Sequence, residues 1–255
     1  MVHHDGTTAH WLGYATLRLA GDDVIVYCDP GRYGVLDGIE PGDGDVICVT
    51  HDHHYDGDGI RRVAADDATL VLFEGVNASR IDRDVERPGD LPYDVVRVDE
   101  TADIAVGDPT GDRADGPRPG EVFVHTVAAY NDPDGPHTTS DGGPYHPEGF
   151  GCGYHLTLPS VWGRDVTVFW PGDTDVLAGH AELDVSLFCP PIGGAFTMDR
   201  HAAASLAAAM DPGFVLPVHY NTFDTLRADA RAFAADVAEA GVPVVLSETW
   251  PDDLW

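Results

Sequence analysis

The stretch Val46-Ile47-Cys48-Val49-Thr50-His51-Asp52-His53-His54-Tyr55-Asp56-Gly57-Asp58-Gly59 decides how this 255-residue sequence is read. Its first five residues form a short β-branched apolar run, the pattern of a strand. Directly after it come imidazoles and carboxylates, the preferred ligands of zinc and similar divalent ions. Alternate residues of an extended segment point the same way, so His51 and His53 can grip one ion from one side. A solvated acidic loop is the ordinary alternative. It leaves the concentration of imidazoles at a strand end unexplained.

Two further positions repeat the arrangement downstream. Val166–Trp170 reads as a strand that runs into Pro171-Gly172-Asp173-Thr174, placing Asp173 at its C-terminal end. Phe214–Pro217 leads in the same way into Val218-His219-Tyr220. Each residue alone would be a turn residue or a core histidine. Together with His51 and His53 they describe a site built where strands end and loops begin.

Around these points the chain alternates short strands and helices. Strands are expected at Ala15–Leu19, Val24–Cys28, Val46–Thr50, Thr69–Phe73, Val95–Val98, Ile104–Val106 and Glu121–Val127 in the first half. In the second half they are expected at Gly153–Leu158, Val166–Trp170, Val185–Cys189, Phe214–Pro217 and Val242–Leu246. Apolar spacing of three to four predicts helices after Asp58, over Met198–Met210 and over Thr225–Ala240, the last ending at Gly241. Strands followed by helices, twice over, point to two halves packed sheet to sheet with helices outside. No linker separates them, so residues 1–255 read as one domain. Gly107–Gly120 reads as a surface loop. Asn131–Gly151, longer and carrying His137, Tyr145 and His146, is the loop with more chemistry.

The charge balance is extreme: 44 Asp and Glu against 14 basic residues, all arginine, for a formal charge of -30. The acid is dispersed along the chain. Such a surface is self-repelling in dilute buffer and is tolerated where the Debye length falls to about 3 Å, at 1 M salt. A halophilic cytoplasm is the expected setting. Nucleic acid is not an expected partner, because binding it draws on clustered basic residues. No apolar run reaches the roughly 20 residues that cross a bilayer, and the start lacks the pattern of a signal peptide. The cysteines Cys28, Cys48, Cys152 and Cys189 stand singly in apolar runs and read as small buried hydrophobes.

Trp11-Leu12-Gly13-Tyr14-Ala15-Thr16, Cys28-Asp29-Pro30, Val49-Thr50-His51-Asp52-His53, Pro171-Gly172-Asp173-Thr174 and Val218-His219-Tyr220 occur in the order found in the metallo-β-lactamase superfamily. The sequence resembles in particular the branch of ascorbate-6-phosphate lactonase-like and predicted zinc-dependent hydrolases. Ala128–Asn131, His146–Gly149 and Pro191–Gly194 are further family-like stretches. The resemblance implies an α/β fold, a four-layer αββα sandwich, with one or two divalent ions, zinc or manganese, at one edge. Carried over by position, it makes His51, His53, His146, Asp173 and His219 metal ligands, with His137 and His125 as substitutes for His146. It implies hydrolysis of an ester, lactone or phosphodiester of a small molecule, with Asp56 or Asp173 as proton acceptor and His219 stabilising the developing oxyanion.

The sequence departs from the family's H-x-H-x-D-H signature. Tyr55 stands where the aspartate belongs, Asp56 where the last histidine belongs, and Tyr14 where a histidine is common. Asp56 is therefore expected to serve as a ligand or base in place of the missing pair, with His54 as the other substitute. The opposing reading is a non-catalytic protein that kept the fold, with weak metal binding and Tyr55 packed among apolar neighbours.

Overall fold

A computed structural model describes residues 1–107, 120–160 and 164–247. The first sheet takes its strands in chain order: β1 (Val2–His4), β2 (Thr7–Gly13), β3 (Thr16–Gly21), β4 (Val24–Cys28), β5 (Gly44–Val49), β6 (Ala64–Phe73) and β7 (Asp94–Val98). β1 to β4 pair antiparallel through short turns, and β4 to β7 pair parallel. The second sheet contains β8 (Asp103–Gly107), β9 (Glu121–Ala129), β10 (Gly151–Leu158), β11 (Val166–Trp170), β12 (Leu187–Phe188) and β13 (Phe214–Val215), with β8 to β11 antiparallel and β11 to β13 parallel.

Side-chain alternation along the strands of the second sheet separates two apolar layers. In β11, Val168 and Trp170 point into the core shared with the first sheet, against residues such as Leu17, Val26 and Cys48. Phe169 points the other way and joins Phe188 and Val215. That second layer is closed by helices α2 (Arg200–Met210) and α3 (Ala230–Glu239) through Ala203, Leu206, Phe233 and Val237. A short helix, α1 (Gly57–Val63), makes the crossover from β5 to the parallel β6. The expected αββα sandwich is the one observed. All four cysteines are buried and free.

Several elements differ from the sequence expectation for identifiable reasons. β1 and β2 are strands that Thr7-Thr8-Ala9-His10 does not announce, since threonine and histidine blur the alternation. α1 stops at Val63 because the chain becomes extended at Ala64 and enters β6. β13 is only two residues long and gives way before Pro217, which has no N–H for a ladder. Val242–Leu246 contributes a single bridge, Val215 to Val244, and no strand. α3 begins at Ala230, capped by Asp229, and Asp224–Leu226 forms a separate 3-10 turn. Most of the loop Gly107–Gly120 lies outside the described residues. No helix among the described residues is long and apolar enough to cross a membrane.

The two sheets are stitched together where the candidate residues emerge. His51 bridges to Gly151, and the Cys152 N–H donates to the Thr50 carbonyl at 3.2 Å. On the first sheet, α1 is pressed against the turn that follows β4. A Cβ on Gly59 would lie 2.4 Å from the Pro30 carbonyl oxygen and 2.6 Å from the Gly31 Cα, both backbone atoms. Glycine is required there by the closeness of two main chains. Replacing it, Gly59→Ala, is expected to destabilise the protein by about 2–3 kcal/mol, an overpacking cost, measured by denaturant unfolding in molar KCl. An unchanged midpoint would show that helix and turn separate easily.

Candidate metal centre

β5, β11, β13 and the start of β10 present their ends to one edge of the sandwich, and that edge collects the imidazoles. Around the Asp173 carboxylate stand His51, His54 and His146, with Nε2 atoms 3.8, 3.5 and 3.5 Å from Oδ2, and His219, with Nε2 3.5 Å from Oδ1. His53 completes the group, its Nδ1 3.2 Å from His146 Nε2. These atoms fall into two overlapping sets, His51 with His53 and His146, and His51 with His54 and Asp173. Except for His53, which is exposed, every member is buried.

The imidazole–carboxylate separations of 3.5 to 3.8 Å are too long for good hydrogen bonds. They suit atoms that share an ion, since two ligands of a tetrahedral zinc at about 2.1 Å lie roughly 3.4 Å from one another. The unsatisfied atoms converge in the same way. His51 Nε2, His54 Nε2, Asp173 Oδ1 and both ring nitrogens of His219 are buried with no hydrogen-bond partner among the described residues. Orphaned buried polar atoms are rare and each costs about 1–3 kcal/mol. Several aimed into one space fit a cation and little else. The donor set of imidazole and carboxylate fits zinc or a similar divalent metal.

A second layer of hydrogen bonds sets which nitrogen faces inward. Asp29 is the hub: its Oδ1 accepts from the Thr50 N–H at 2.8 Å, and its Oδ2 accepts from the Thr50 hydroxyl at 2.8 Å, His54 Nδ1 at 2.9 Å and Trp170 Nε1 at 2.8 Å. His51 Nδ1 lies 2.9 Å from the Thr50 hydroxyl, so it is tied to Asp29 through one intermediate. His146 Nδ1 lies 3.3 Å from Asn131 Oδ1 and 3.2 Å from the Phe196 carbonyl. In all three rings Nδ1 is engaged and Nε2 is the nitrogen turned toward the centre, the arrangement that supports metal-binding histidines.

Protonation equilibria agree with this picture. Burial pushes His51 well below the ordinary histidine value, lowers His53 and His219, and brings His146 down to about 4. These rings are neutral at neutral pH, the form that binds metals. Burial would raise Asp173, yet the surrounding imidazoles of His219, His54 and His146 hold it well below the carboxylate range. His54 behaves differently. Burial opposes a charge on it, but Asp173 and Asp29 on either side outweigh burial and raise it to about 9. The pair of carboxylates calls for positive charge at that ring, which a cation on Nε2 would also provide.

The expected residues divide accordingly. His51, His53, His146, Asp173 and His219 are brought together. Asp56 is not, and its expected role as ligand or base is corrected. Its Oδ1 caps α1 by accepting from the Asp58 and Gly59 N–H groups at 3.1 Å, and its Oδ2 accepts from the Arg32 N–H at 2.9 Å. Tyr55 is fully buried, its hydroxyl donating to the Glu86 carbonyl at 2.7 Å. The substitute histidines are elsewhere. His125 is half exposed beside Asp103, and His137 is locked between Asp175 Oδ1 at 2.5 Å and the Gly194 carbonyl at 2.9 Å. Asp29 is the residue that sequence reasoning overlooked as functional. It sits at the end of an apolar strand, the same signal that singled out Asp173.

A profile of the beta-lactamase superfamily domain matches residues 8–219. The chain belongs to that superfamily. It is 30% identical over 249 residues to a UPF0173 metal-dependent hydrolase of Thermococcus kodakarensis, covering 92% of this chain and 94% of the relative. A protein of the same description from Hyperthermus butylicus is 28% identical over 257 residues, covering 96% and 97%. The fold is similar to that of a metallo hydrolase from the archaeon Ignicoccus hospitalis, with a TM-score of 0.62, 20% identity and 95% of each chain covered.

Set against the superfamily signature, the geometry places His54, one residue before the expected aspartate position, against the strand-end carboxylate. Removing it separates its role from that of Asp56. His54→Ala is expected to lower the metal content from about two equivalents per chain to about one, by elemental analysis of protein purified without chelator in high salt. Asp56→Asn is expected to keep both while losing about 1 kcal/mol of stability with its cap. Loss of metal from the Asp56 variant alone would reverse the assignment. Asp29→Asn, which replaces an acceptor by a donor facing His54, is expected to weaken metal binding about 10–100-fold in competition with a chromogenic chelator.

Proposed function

We infer that the chain is a metal-dependent hydrolase that cleaves an ester, lactone or phosphodiester of a small molecule. The observation that carries this reading is the set of buried, unpartnered nitrogen and carboxylate atoms converging at the sandwich edge. Family membership and the description of the archaeal relatives as metal-dependent hydrolases support it. One group, His51, His53 and His146, and a second, His54, His219 and Asp173, would hold one or two ions. When bound, such ions supply Lewis-acid activation of water and of the substrate oxygen.

The chain's own residues do the rest. Asp29, Thr50 and Asn131 fix the outer ring nitrogens, so the imidazoles cannot rotate away. Asp173 is the carboxylate inside the cluster and stays ionised there, available as a ligand, whereas Asp56 spends both oxygens on backbone N–H groups. His219, with Nε2 3.5 Å from Asp173 Oδ1, is a neutral ring placed to serve as a ligand beside that carboxylate. Burial of every member but His53 limits water and directs substrate to the His53 side. Neither nucleic acid nor membrane is a proposed partner.

One observation favours the non-catalytic reading: Tyr55 is packed into the core, as that reading expects. Turnover decides between the two. In molar KCl, the metal-loaded protein is expected to hydrolyse at least one of p-nitrophenyl acetate, dihydrocoumarin and bis(p-nitrophenyl) phosphate. Activity should fall to the uncatalysed background after chelation and return with zinc or manganese. Full metal content with no turnover of any of the three would leave the non-catalytic reading in front.

A further inference from the structure

We propose that Arg32 is the specificity-determining residue of this centre and that it binds a carboxylate or phosphate group carried by the small-molecule substrate. The proposal deepens the hydrolase reading and rests on the same placement of the metal centre. Its first support is location. Arg32 Nη1 donates to the carbonyl of His53, the one exposed member of the cluster, and its guanidinium lies 4.7 Å from the ring centroid of Tyr33, itself exposed. Tyr33 packs edge-on to Tyr14, whose ring is 4.7 Å from His219 and 5.1 Å from His54. Arg32 therefore stands at the approach to the imidazoles.

Its second support is what it lacks. In a chain with 44 acidic residues, no carboxylate pairs with the Arg32 guanidinium among the described residues, whereas Arg18, Arg61, Arg62, Arg80 and Arg200 each have one. One of its five N–H donors is used on the His53 carbonyl. The others form a planar fork suited to a carboxylate or phosphate. Arg83 stands behind it, 4.0 Å from Asp56 and donating to the Tyr55 carbonyl. Burial and the nearby Arg32 charge both weaken the hold of Arg83 on its proton.

The third support is the backbone. Asp29, Gly31, Arg32, Tyr33 and Gly34 all have φ between 48° and 107°. Left-handed conformations at Arg32 and Tyr33 persist only when the surroundings impose them, and such strain collects at functional sites. Here Asp56 Oδ2 holds the Arg32 N–H, and the Thr16 hydroxyl holds the Gly31 N–H at 3.0 Å. The turn that follows Asp29 is thus held at both Gly31 and Arg32.

Inorganic phosphate is the probe, titrated calorimetrically into metal-loaded wild type, Arg32→Gln and Arg32→Lys, with metal content checked for each. Saturable uptake by wild type is expected, weakened about tenfold or more in Arg32→Gln at unchanged metal content. Arg32→Lys should fall between, about threefold weaker, keeping the charge without the fork. Equal affinity in wild type and Arg32→Gln, or no saturable uptake by wild type, would overturn the proposal. Should Arg32→Gln lose metal, Arg32→Lys decides: unaltered affinity there makes Arg32 a structural clamp on His53. Because no turnover is required, Arg32-dependent uptake without ester hydrolysis would sink the hydrolase reading alone.

Discussion

A single buried carboxylate, Asp29, joins the scaffold to the chemistry. It follows β4, receives the N–H and hydroxyl of Thr50 at the end of β5, and receives the indole N–H of Trp170 at the end of β11. Three strands from two sheets are held at one point. A charge so deeply placed is tolerable only when donors surround it. One of those donors, His54, and one reached through Thr50, His51, are members of the metal cluster. The hydrogen bonds that keep the sandwich edge closed are therefore the ones that orient the ligands.

The same economy leaves the centre unsatisfied by protein alone. Neutral imidazoles with inward lone pairs gather on one carboxylate, and several of their atoms have no partner. Within a sandwich otherwise closely paired, this edge is held together against its own preference. An ion that satisfies those atoms stabilises the folded chain by binding to it and not to the unfolded one. Metal uptake and closure of the two sheets are then linked events, with the His51–Gly151 bridge as the structural seam between them.

Much of this was legible in the sequence, and the reasons are local. Val24–Cys28 and Val166–Trp170 are uninterrupted apolar runs bounded by turn residues, and both strands form with those limits. Asp173 and His219 declared themselves by standing where such runs end. Val242–Leu246 carries the same composition without a neighbour free to pair along its length, so composition alone misled there. Asp56 misled for another reason. An aspartate after a metal motif and an aspartate before a helix are the same residue type, and only the N–H groups of Asp58 and Gly59 reveal that it is a cap. Conversely, His54 is one imidazole among three in sequence, and its distinction comes from Asp29, distant by 25 positions.

The turn between His51 and α1 has a consequence for how such proteins can change. With the His54 and Tyr55 N–H groups both directed at the His51 carbonyl, the chain tightens early and brings in an imidazole one position before the signature's aspartate and two before its last histidine. The two positions thus released were taken up by other duties, Tyr55 filling the interior and Asp56 fastening helix to turn. Placing the signature's aspartate at Tyr55 and its histidine at Asp56 would remove a core ring and a helix cap. Each of the two positions is held by its own neighbours, Tyr55 by the Glu86 carbonyl and Asp56 by the first turn of α1.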